Sequence, residues 1–419
     1  MSVAVVELND LHLLLRTDQG ILHSEPGFAQ LTKTGITTGA IARANAWQQP
    51  QHSYNQYWRQ LNQQPLPSQQ QWARHHADIA FAQLKQLLDT GGSPENIILA
   101  VPGSLSDEQL SLLLGLASAI PVQVSAVIDS ALAICAQQTE STLLVEMQLH
   151  QTQISLVEQS AGTNNISHQE TLPDMGMMQL HNAVARHISD RLIQDYRYDP
   201  LHSSETEQAL YDQLPDWLTQ LSQQDKLSIN LSSPQGELNL VLNRDNIAEL
   251  IEQRLSGLTA LIKKYRKAKL CFSHSGRVIP ELASAFADAQ ISPEAIGLDN
   301  CNKLQQALCD QPLQRICQLK LSTSSMDVAS ETRQASHVLH NNRAYPLHEP
   351  LSIEWQDNQL RLTNKHKKDA ALIIQMVNQQ LEILHQQKDL QVTLPRHCQP
   401  GEQLQIADQY LPLIEVSHV

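Results

Sequence analysis

The chain has 419 residues, with 43 acidic against 29 basic side chains, a formal net charge of −14 and a pI near 5.7. This length predicts two to four domains. The negative charge argues against nucleic acid or an anionic membrane as the main partner. No segment approaches the ~18 consecutive apolar residues of a membrane helix, and no basic, apolar leader follows Met1, so we expect a cytoplasmic protein.

The cysteine, histidine and glycine patterns exclude several kinds of site. Six cysteines are scattered without a Cys-x-x-Cys pair, and the 18 histidines contain no His-Glu-x-x-His, so we predict no metal centre. Glycine accounts for only 15 of 419 residues, about half of the usual ~7%. The single Gly-Gly pair, Gly91-Gly92, follows an amphipathic run and is typical of a helix end. Glycine-rich phosphate loops are therefore absent.

The N-terminal part alternates strands and helices. Residues 3–6 and 11–15 are apolar runs around a polar turn, which predicts a hairpin, and residues 20–23 could add a third strand. Helical spacing over residues 71–89 precedes a buried strand at 96–102. The segments that follow are a helix opened by a capping box of Ser106 and Gln109, a strand at 122–128 and a helix at 130–136.

The hairpin pattern then occurs a second time. Residues 142–145 and 152–157 are again an apolar pair around a polar turn, with Glu146 at the end of the first strand, so two related halves are predicted. The later segments are helices at 178–196, 205–221 and 246–268, a strand at 270–272 that meets Ser273-His274-Ser275-Gly276, and a helix from Pro280.

Beyond about residue 320 the pattern favours short strands. Leu351, Ile353 and Trp355 alternate into a turn at Asp357-Asn358, which predicts a hairpin. Residues 370–387 fit a helix or strands equally well by periodicity. A small C-terminal β-rich module is therefore predicted.

Residues 1–300 resemble the actin-like ATPase superfamily, and within it the nucleotide-binding part of DnaK-type heat-shock chaperones. The resemblance depends on the order and spacing of the two hairpins, Leu99-Ala100-Val101-Pro102, Val127-Ile128-Asp129-Ser130-Ala131 and the long helix before residues 272–280. It implies an α/β, two-lobed actin-like fold made of two ribonuclease-H-like halves. The implied domains are a first lobe at 1–138, a second lobe at 139–320 with a helical subdomain around 174–268, and the β-rich module at 321–419.

The resemblance also implies a nucleotide cleft. In that family, acids at strand ends hold magnesium through water, and these positions fall on Glu7, Asp129 and Glu146. A third turn contacts adenosine, and Ser275 and Gly276 keep a family-like chemistry there. The catalytic lysine of the chaperones falls near Arg59.

The glycines of the family's phosphate turns are missing. The first turn has Leu8-Asn9-Asp10-Leu11 where the family has Leu-Gly-Thr-Thr, and the second has Gln148-Leu149-His150-Gln151 where it has Gly-Gly-Gly-Thr. Side chains would fill the volume of the phosphates, and Asp10 adds a negative charge there. The family's charged adenosine contacts align with Pro215, Leu218 and Thr219, which cannot replace them.

Several of these residues also have ordinary structural interpretations. Acidic side chains at strand ends often do no more than expose a carboxylate to water at a turn. Because the phosphate loops are missing, we favour that interpretation over a retained magnesium site. Arg59 fits a surface residue that covers an apolar neighbour. His150 is expected in an exposed turn and not as a catalytic base.

Our leading hypothesis is a DnaK-like pseudo-ATPase without a cofactor, which acts as a protein-binding scaffold or chaperone-like protein with a protein partner. The alternative is a divergent ATP-dependent chaperone or ATPase that still binds Mg-ATP in the interlobe cleft through Glu7, Asp129 and Glu146. A third interpretation makes the C-terminal module a peptide-binding unit, although nothing in residues 320–419 matches such a domain specifically.

Overall fold

The structure is a computed structural model of the whole chain. It describes residues 3–160, 162–234, 236–278, 286, 289–320, 335–341, 343–356, 359–364, 367, 370–377, 380–387, 390, 392–394, 398, 403–407 and 409–414. The chain divides into two compact units, residues 1–321 and 322–419. The mixed α/β class predicted from the sequence is confirmed.

The first unit begins with a six-stranded sheet, which we call the first sheet. The strand Ala4–Glu7 pairs antiparallel with Leu13–Arg16 and parallel with Asn96–Val101. Because the central strands are buried on both faces, their sequences are continuous apolar runs. The strand order is Arg315–Ile316, Gln123–Asp129, Asn96–Val101, Ala4–Glu7, Leu13–Arg16 and Leu22–Glu25.

A second six-stranded sheet, which we call the second sheet, repeats this connectivity. Its first strand, Thr142–Met147, pairs antiparallel with Gln151–Ser160 and parallel with Lys269–Phe272. In both sheets the first strand therefore lies between its hairpin partner and a later parallel strand. The strand order is Gln290–Ile291, Lys269–Phe272, Thr142–Met147, Gln151–Ser160, Thr163–Pro173 and Gln318–Lys320.

The other elements of this unit are small sheets and helices. The small sheets consist of Ala29–Leu31 with Ile36–Thr38 and Ser53–Tyr54, of Pro65–Gln70 with Ala73–His75, and of Lys226–Ser233 with Gly236–Asn243. The α-helices are Gly39–Arg43, His76–Thr90, Asp107–Ser118, Ser130–Ile134, Met177–Tyr196, Ser204–Leu221, Arg244–Arg254, Ser256–Lys264, Ile296–Lys303 and Gln305–Cys309, and 3-10 turns occupy Pro50–His52 and His274–Val278.

Local sequence signals explain where the early helices begin and end. The Ser106 hydroxyl accepts a hydrogen bond from the backbone N–H of Gln109, and the Gln109 side-chain oxygen accepts one from the backbone N–H of Ser106, so the predicted capping box is confirmed. The helix His76–Thr90 buries its apolar stripe and is followed by Gly91 and Gly92. Gly92 has φ +85°, a backbone conformation that favours glycine.

In the second half of the unit, one prediction was wrong and one hairpin was not predicted. The single helix expected at 246–268 is two helices, Arg244–Arg254 and Ser256–Lys264, separated at Leu255. Ser256 and Gly257 follow the break, and both are weaker helix formers than alanine. The hairpin Lys226–Asn243 was missed, although its strands alternate between buried and exposed residues. The helix expected from Pro280 falls largely outside the described residues.

The described part of residues 322–419 is built from antiparallel strands. One sheet has the order Arg343–Pro346, His337–His340, Gln409–Ile414, Gln403–Ile406 and Val392–Thr393. The other has the order Gln359–Thr363, Leu351–Gln356, Leu372–Val377 and Gln380–Gln386. Buried residues of both sheets, including Val338, Ile353 and Leu413, form one core. Residues 370–387, which periodicity left open, contain two strands, whereas the turn predicted at 357–358 lies outside the described residues.

Candidate functional site

The two polar turns that follow the first strands of the two sheets are bonded to each other. We call residues 8–12 the first turn and residues 148–150 the second turn. The Asp10 carboxylate accepts a 2.7 Å hydrogen bond from the backbone N–H of Leu149. Asn9 donates from its side-chain amide to the carbonyl oxygen of Met147, at 3.2 Å. Asp10 is only 6% exposed, so this contact is buried.

Neighbouring backbone groups fix the position of Asp10. The backbone N–H of Gly27 donates to the Asp10 carbonyl oxygen at 2.8 Å. The side chain of Asn9 accepts from the N–H of Leu11 at 3.0 Å, which closes the first turn. Burial raises the pKa of Asp10 to about 6, while the bond from Leu149 and the charge of Arg59 act in the opposite direction. At neutral pH Asp10 is therefore mainly a carboxylate.

Side chains of the second turn also bond to neighbouring segments. Gln148 donates to the Ser104 hydroxyl at 3.1 Å, and Gln151 donates to Gln148 at 2.7 Å. The Nε2 atom of His150 lies 3.1 Å from both the carbonyl and side-chain oxygens of Asn55. The expectation of an exposed His150 was therefore wrong, because this residue is only 6% exposed. Burial lowers its pKa to about 4 and keeps the ring neutral.

Little space is left beside the joined turns. A cavity of about 30 Å³ lies there, and its lining includes Asp10, Arg59, Ser104 and Gln148. A cavity of this volume holds only a few water molecules. The side chains of the joined turns therefore leave little more than room for solvent next to Asp10.

The three acids singled out from the sequence are buried at strand ends. Glu7, Asp129 and Glu146 are between 0% and 3% exposed. Asp129 accepts hydrogen bonds from the N–H of Ala131 and the side chain of Gln169, both at 3.0 Å. The prediction that such acids merely solvate turns was wrong, because these side chains are enclosed by protein.

Glu146 has one hydrogen-bonded oxygen and one unpartnered oxygen. Its Oε1 atom accepts a 2.7 Å bond from the Ser130 hydroxyl, whereas Oε2 is buried without a hydrogen-bond partner. Burial, with smaller contributions from Asp129 and Glu7, raises the pKa of Glu146 to about 8. Burial also raises the pKa of Glu7 to about 7 and shifts that of Asp129 upward. Glu146 is therefore mainly protonated at neutral pH.

These acids do not form a ready metal site. Within the described residues, no group of three or more His, Cys, Asp or Glu side chains is arranged to hold a metal ion. The chemistry of the set still suits a hard cation, because oxygen ligands are what magnesium prefers and Glu146 has a free oxygen. A bound cation would have to displace the proton of Glu146.

Ser275 and Gly276 lie beside the second turn. Ser275 is 2.9 Å from the hydroxyl of Ser273 and donates to the Met147 carbonyl oxygen at 3.4 Å. The backbone N–H of Gly276 donates to Ser273 at 2.9 Å. Since Asn9 bonds to the same Met147 oxygen, the first turn and the 3-10 turn meet at this carbonyl group.

Arg59 forms an ion pair and is not a free surface cation. Its guanidinium lies 3.2 Å from the Asp174 carboxylate, and its side chain is 24% exposed. Its charge also acts on Asp10 and His150. Arg59 thus supports the anionic form of Asp10 and the neutral form of His150.

Sequence reasoning missed a second connection between distant segments. Gln208, 2% exposed, accepts from the N–H of Trp47 at 2.9 Å and donates to the Arg43 carbonyl oxygen at 3.0 Å. Trp47 also stacks on Tyr211, with 4.1 Å between ring centroids. A glutamine within a helical stripe gives no sequence signal of such a role.

Comparison with known proteins does not assign the chain to a family: no protein-family model matches it, and no curated protein matches it significantly. Among the described helices, none combines the length and hydrophobicity that crossing a bilayer requires.

Proposed function

We propose that this chain is a DnaK-like pseudo-ATPase with an actin-like, two-lobed fold, and that it acts as a protein-binding scaffold or chaperone-like protein. The bond between Asp10 and Leu149 is the observation that carries the proposal. An acidic side chain there uses the backbone N–H that a phosphate group would need, and it adds a negative charge at the same point.

The strand order of the two sheets supports the fold part of the proposal. Each sheet has a hairpin whose first strand pairs with a later parallel strand, and each hairpin has its polar turn at the shared contact. The small cavity supports the loss of nucleotide binding, because side chains including Asp10, Arg59 and Gln148 line the space that a triphosphate would need.

A surface groove supports the protein-binding part. The groove has a volume of about 730 Å³, and Ile36, Trp72 and Phe81 contribute apolar lining beside Lys85 and Asp89. Trp72 is 48% exposed. Because exposed aromatic residues are enriched at protein interfaces, this groove is where we expect a partner.

A cytoplasmic location is part of the proposal. The buried thiols of Cys135, Cys271 and Cys301 and the half-buried thiols of Cys309 and Cys317 are free. Disulfides are rare in the cytosol, where thiols are kept reduced, so these five free thiols fit that compartment.

Titration calorimetry with ATP and magnesium tests the proposal. We expect no saturable binding in the micromolar range by the full chain, whose folded state is checked by cooperative unfolding. A saturating isotherm would overturn the loss of nucleotide binding.

The surface groove lined by Ile36, Trp72 and Phe81 is tested by cross-linking. The proteins that cross-link to the wild type are compared with those that cross-link to Trp72→Ala. Identical sets of proteins would remove the groove from the proposal.

The alternative is a divergent ATPase or ATP-dependent chaperone that holds Mg-ATP with Glu7, Asp129 and Glu146. The unpartnered Oε2 atom of Glu146 is the observation in its favour. This alternative predicts magnesium-dependent phosphate release that disappears in Glu146→Gln. Equal background rates for the two proteins would exclude it.

A further inference from the structure

A second cavity, distinct from the small one beside Asp10 and partly open to solvent, lies between the first turn, the helix Gly39–Arg43 and the helix Met177–Tyr196. Its volume is about 100 Å³. Most of its wall is apolar and includes Phe28, Trp47, Leu149, Met177 and Met178. Three polar side chains, His12, Arg43 and His181, interrupt this wall.

Arg43 is a cation without a close counter-ion. Among the described residues, no carboxylate lies within 4.0 Å of its guanidinium, and no hydrogen bond joins that group to another side chain. Asp212 and Asp216 act on it only from a greater distance, and burial shifts its pKa downward. An arginine remains cationic in proteins. The Arg43 side chain is half-buried at the wall of the cavity, where a planar carboxylate could pair with its donors. An anion in the cavity would satisfy those donors.

The two histidines supply neutral donors around the same space. Within the described part of the chain, neither ring forms a hydrogen bond, although His181 is only 8% exposed. Burial lowers the pKa of each ring to about 4. The charges of His274 and Arg43 lower the pKa of His12 further, and the charge of Arg43 does the same for His181. Each neutral ring carries one N–H group that can donate to a ligand oxygen.

We propose that this cavity binds a short-chain monocarboxylate. The carboxylate pairs with the fork of donors on Arg43, a geometry that suits planar carboxylates, and accepts further bonds from His12 and His181. The alkyl chain packs against Phe28 and Met177. An apolar cavity of about 150 Å³ can hold benzene, so a cavity of about 100 Å³ suits propionate or butyrate and not adenosine.

The apolar wall decides between a carboxylate and inorganic phosphate. A phosphate ion has polar oxygens on every side, and Phe28, Trp47 and Met177 offer them no hydrogen bonds. A monocarboxylate places its charge at one end and its apolar atoms at the other, which matches the cavity. This inference requires neither a protein partner nor a nucleotide, so it can fail or hold independently of the proposed function.

Titration calorimetry of the full chain with sodium butyrate at pH 7 tests the inference. Butyramide, which has nearly the same shape and no charge, and inorganic phosphate are the comparison probes. We expect saturable 1:1 binding of butyrate, and binding of butyramide and phosphate at least tenfold weaker. Arg43→Gln should weaken butyrate binding at least tenfold, which corresponds to about 1.4 kcal/mol.

The matched control is Arg191→Gln. Arg191 lies in the helix Met177–Tyr196 but pairs with Asp195 at the surface, so this variant should bind butyrate like the wild type. If Arg43→Gln does not fold, Met177→Phe narrows the cavity without changing its charge and should also abolish binding. The inference is overturned if the wild type shows no saturable butyrate binding, if phosphate binds more tightly, or if neither cavity variant weakens butyrate binding.

Discussion

Asp10 and Leu149 are 139 residues apart in sequence, yet the carboxylate of one accepts a 2.7 Å hydrogen bond from the backbone N–H of the other. Each residue lies in the turn after the first strand of its own sheet. Because both are buried, water cannot replace the bond without a rearrangement of the two turns. The contact therefore stabilises one closed arrangement of the two sheets.

Asp10→Ala should destabilise the protein by about 1–3 kcal/mol, because the N–H of Leu149 would be buried without an acceptor. Asp10→Asn keeps an oxygen at the same position, so its free energy of unfolding should fall less than that of Asp10→Ala. The measurement is the free energy of unfolding from urea denaturation at pH 7. Equal stability of Asp10→Ala and the wild type would show that the turns do not depend on this bond.

Glu146 should make the protein less stable as the pH rises from about 4.5 to about 8. Its pKa is about 8 in the folded protein against 4.5 for an ordinary glutamate, so between these values the folded state retains a proton that the unfolded chain has lost. The free energy of unfolding consequently falls through this window. His12, His150 and His181 have the opposite effect, but only between about pH 4 and 6.5.

The interval from pH 6.5 to 8 thus reports mainly on the buried acids. In the wild type, the free energy of unfolding from denaturation curves should fall by roughly 1–2 kcal/mol between pH 6.5 and 8. Glu146→Gln cannot titrate and should flatten most of this slope, whereas Glu158→Gln, a change at an exposed position, should keep it. An unchanged slope in Glu146→Gln would contradict the raised pKa.

The sequence predicted those features of the fold that local signals encode. The capping box at Ser106, the helix end at Gly91-Gly92 and the buried strand at 96–101 all depend on neighbouring residues. The hairpin at 226–243 carried an equally local signal, the alternation of Leu227, Ile229 and Leu231, and could have been found. The break at Leu255 was obscured because its apolar stripe continues through it.

The site was predictable only as a set of positions. The sequence indicated that Glu7, Asp129 and Glu146 end strands, but their burial depends on packing around three distant segments. His150 illustrates the same limit: its partner Asn55 is 95 residues away, so a polar turn was taken for an exposed one. The pairing of Asp10 with Leu149 likewise has no local signal, because it depends on how the two sheets pack.

Gln208 should contribute to stability through the second long-range connection. Gln208→Ala would leave the N–H of Trp47 without its buried acceptor and the Arg43 carbonyl oxygen without its donor, at a cost of about 1–3 kcal/mol. Gln213→Ala is the control, because Gln213 lies in the same helix and bonds only to the exposed Ala209 carbonyl oxygen. Similar denaturation midpoints for both variants would show that Gln208 does not hold these segments together.

Gly27 and Gly115 should respond in opposite ways to the same substitution. A Cβ atom at Gly27 would lie 2.5 Å from the carbonyl oxygen of Asp10, a backbone atom that cannot move aside without shifting the first turn. Gly27→Ala should therefore cost about 1–3 kcal/mol, as overpacking does. A Cβ atom at Gly115 would meet nothing within 4 Å in the helix Asp107–Ser118, so Gly115→Ala should gain about 0.5–1 kcal/mol. Thermal unfolding of the two variants beside the wild type measures both effects. A Gly27→Ala variant that melted at or above the wild-type temperature would contradict this prediction. It would show that the close approach of Gly27 to Asp10 does not hold the first turn in place beside Leu149.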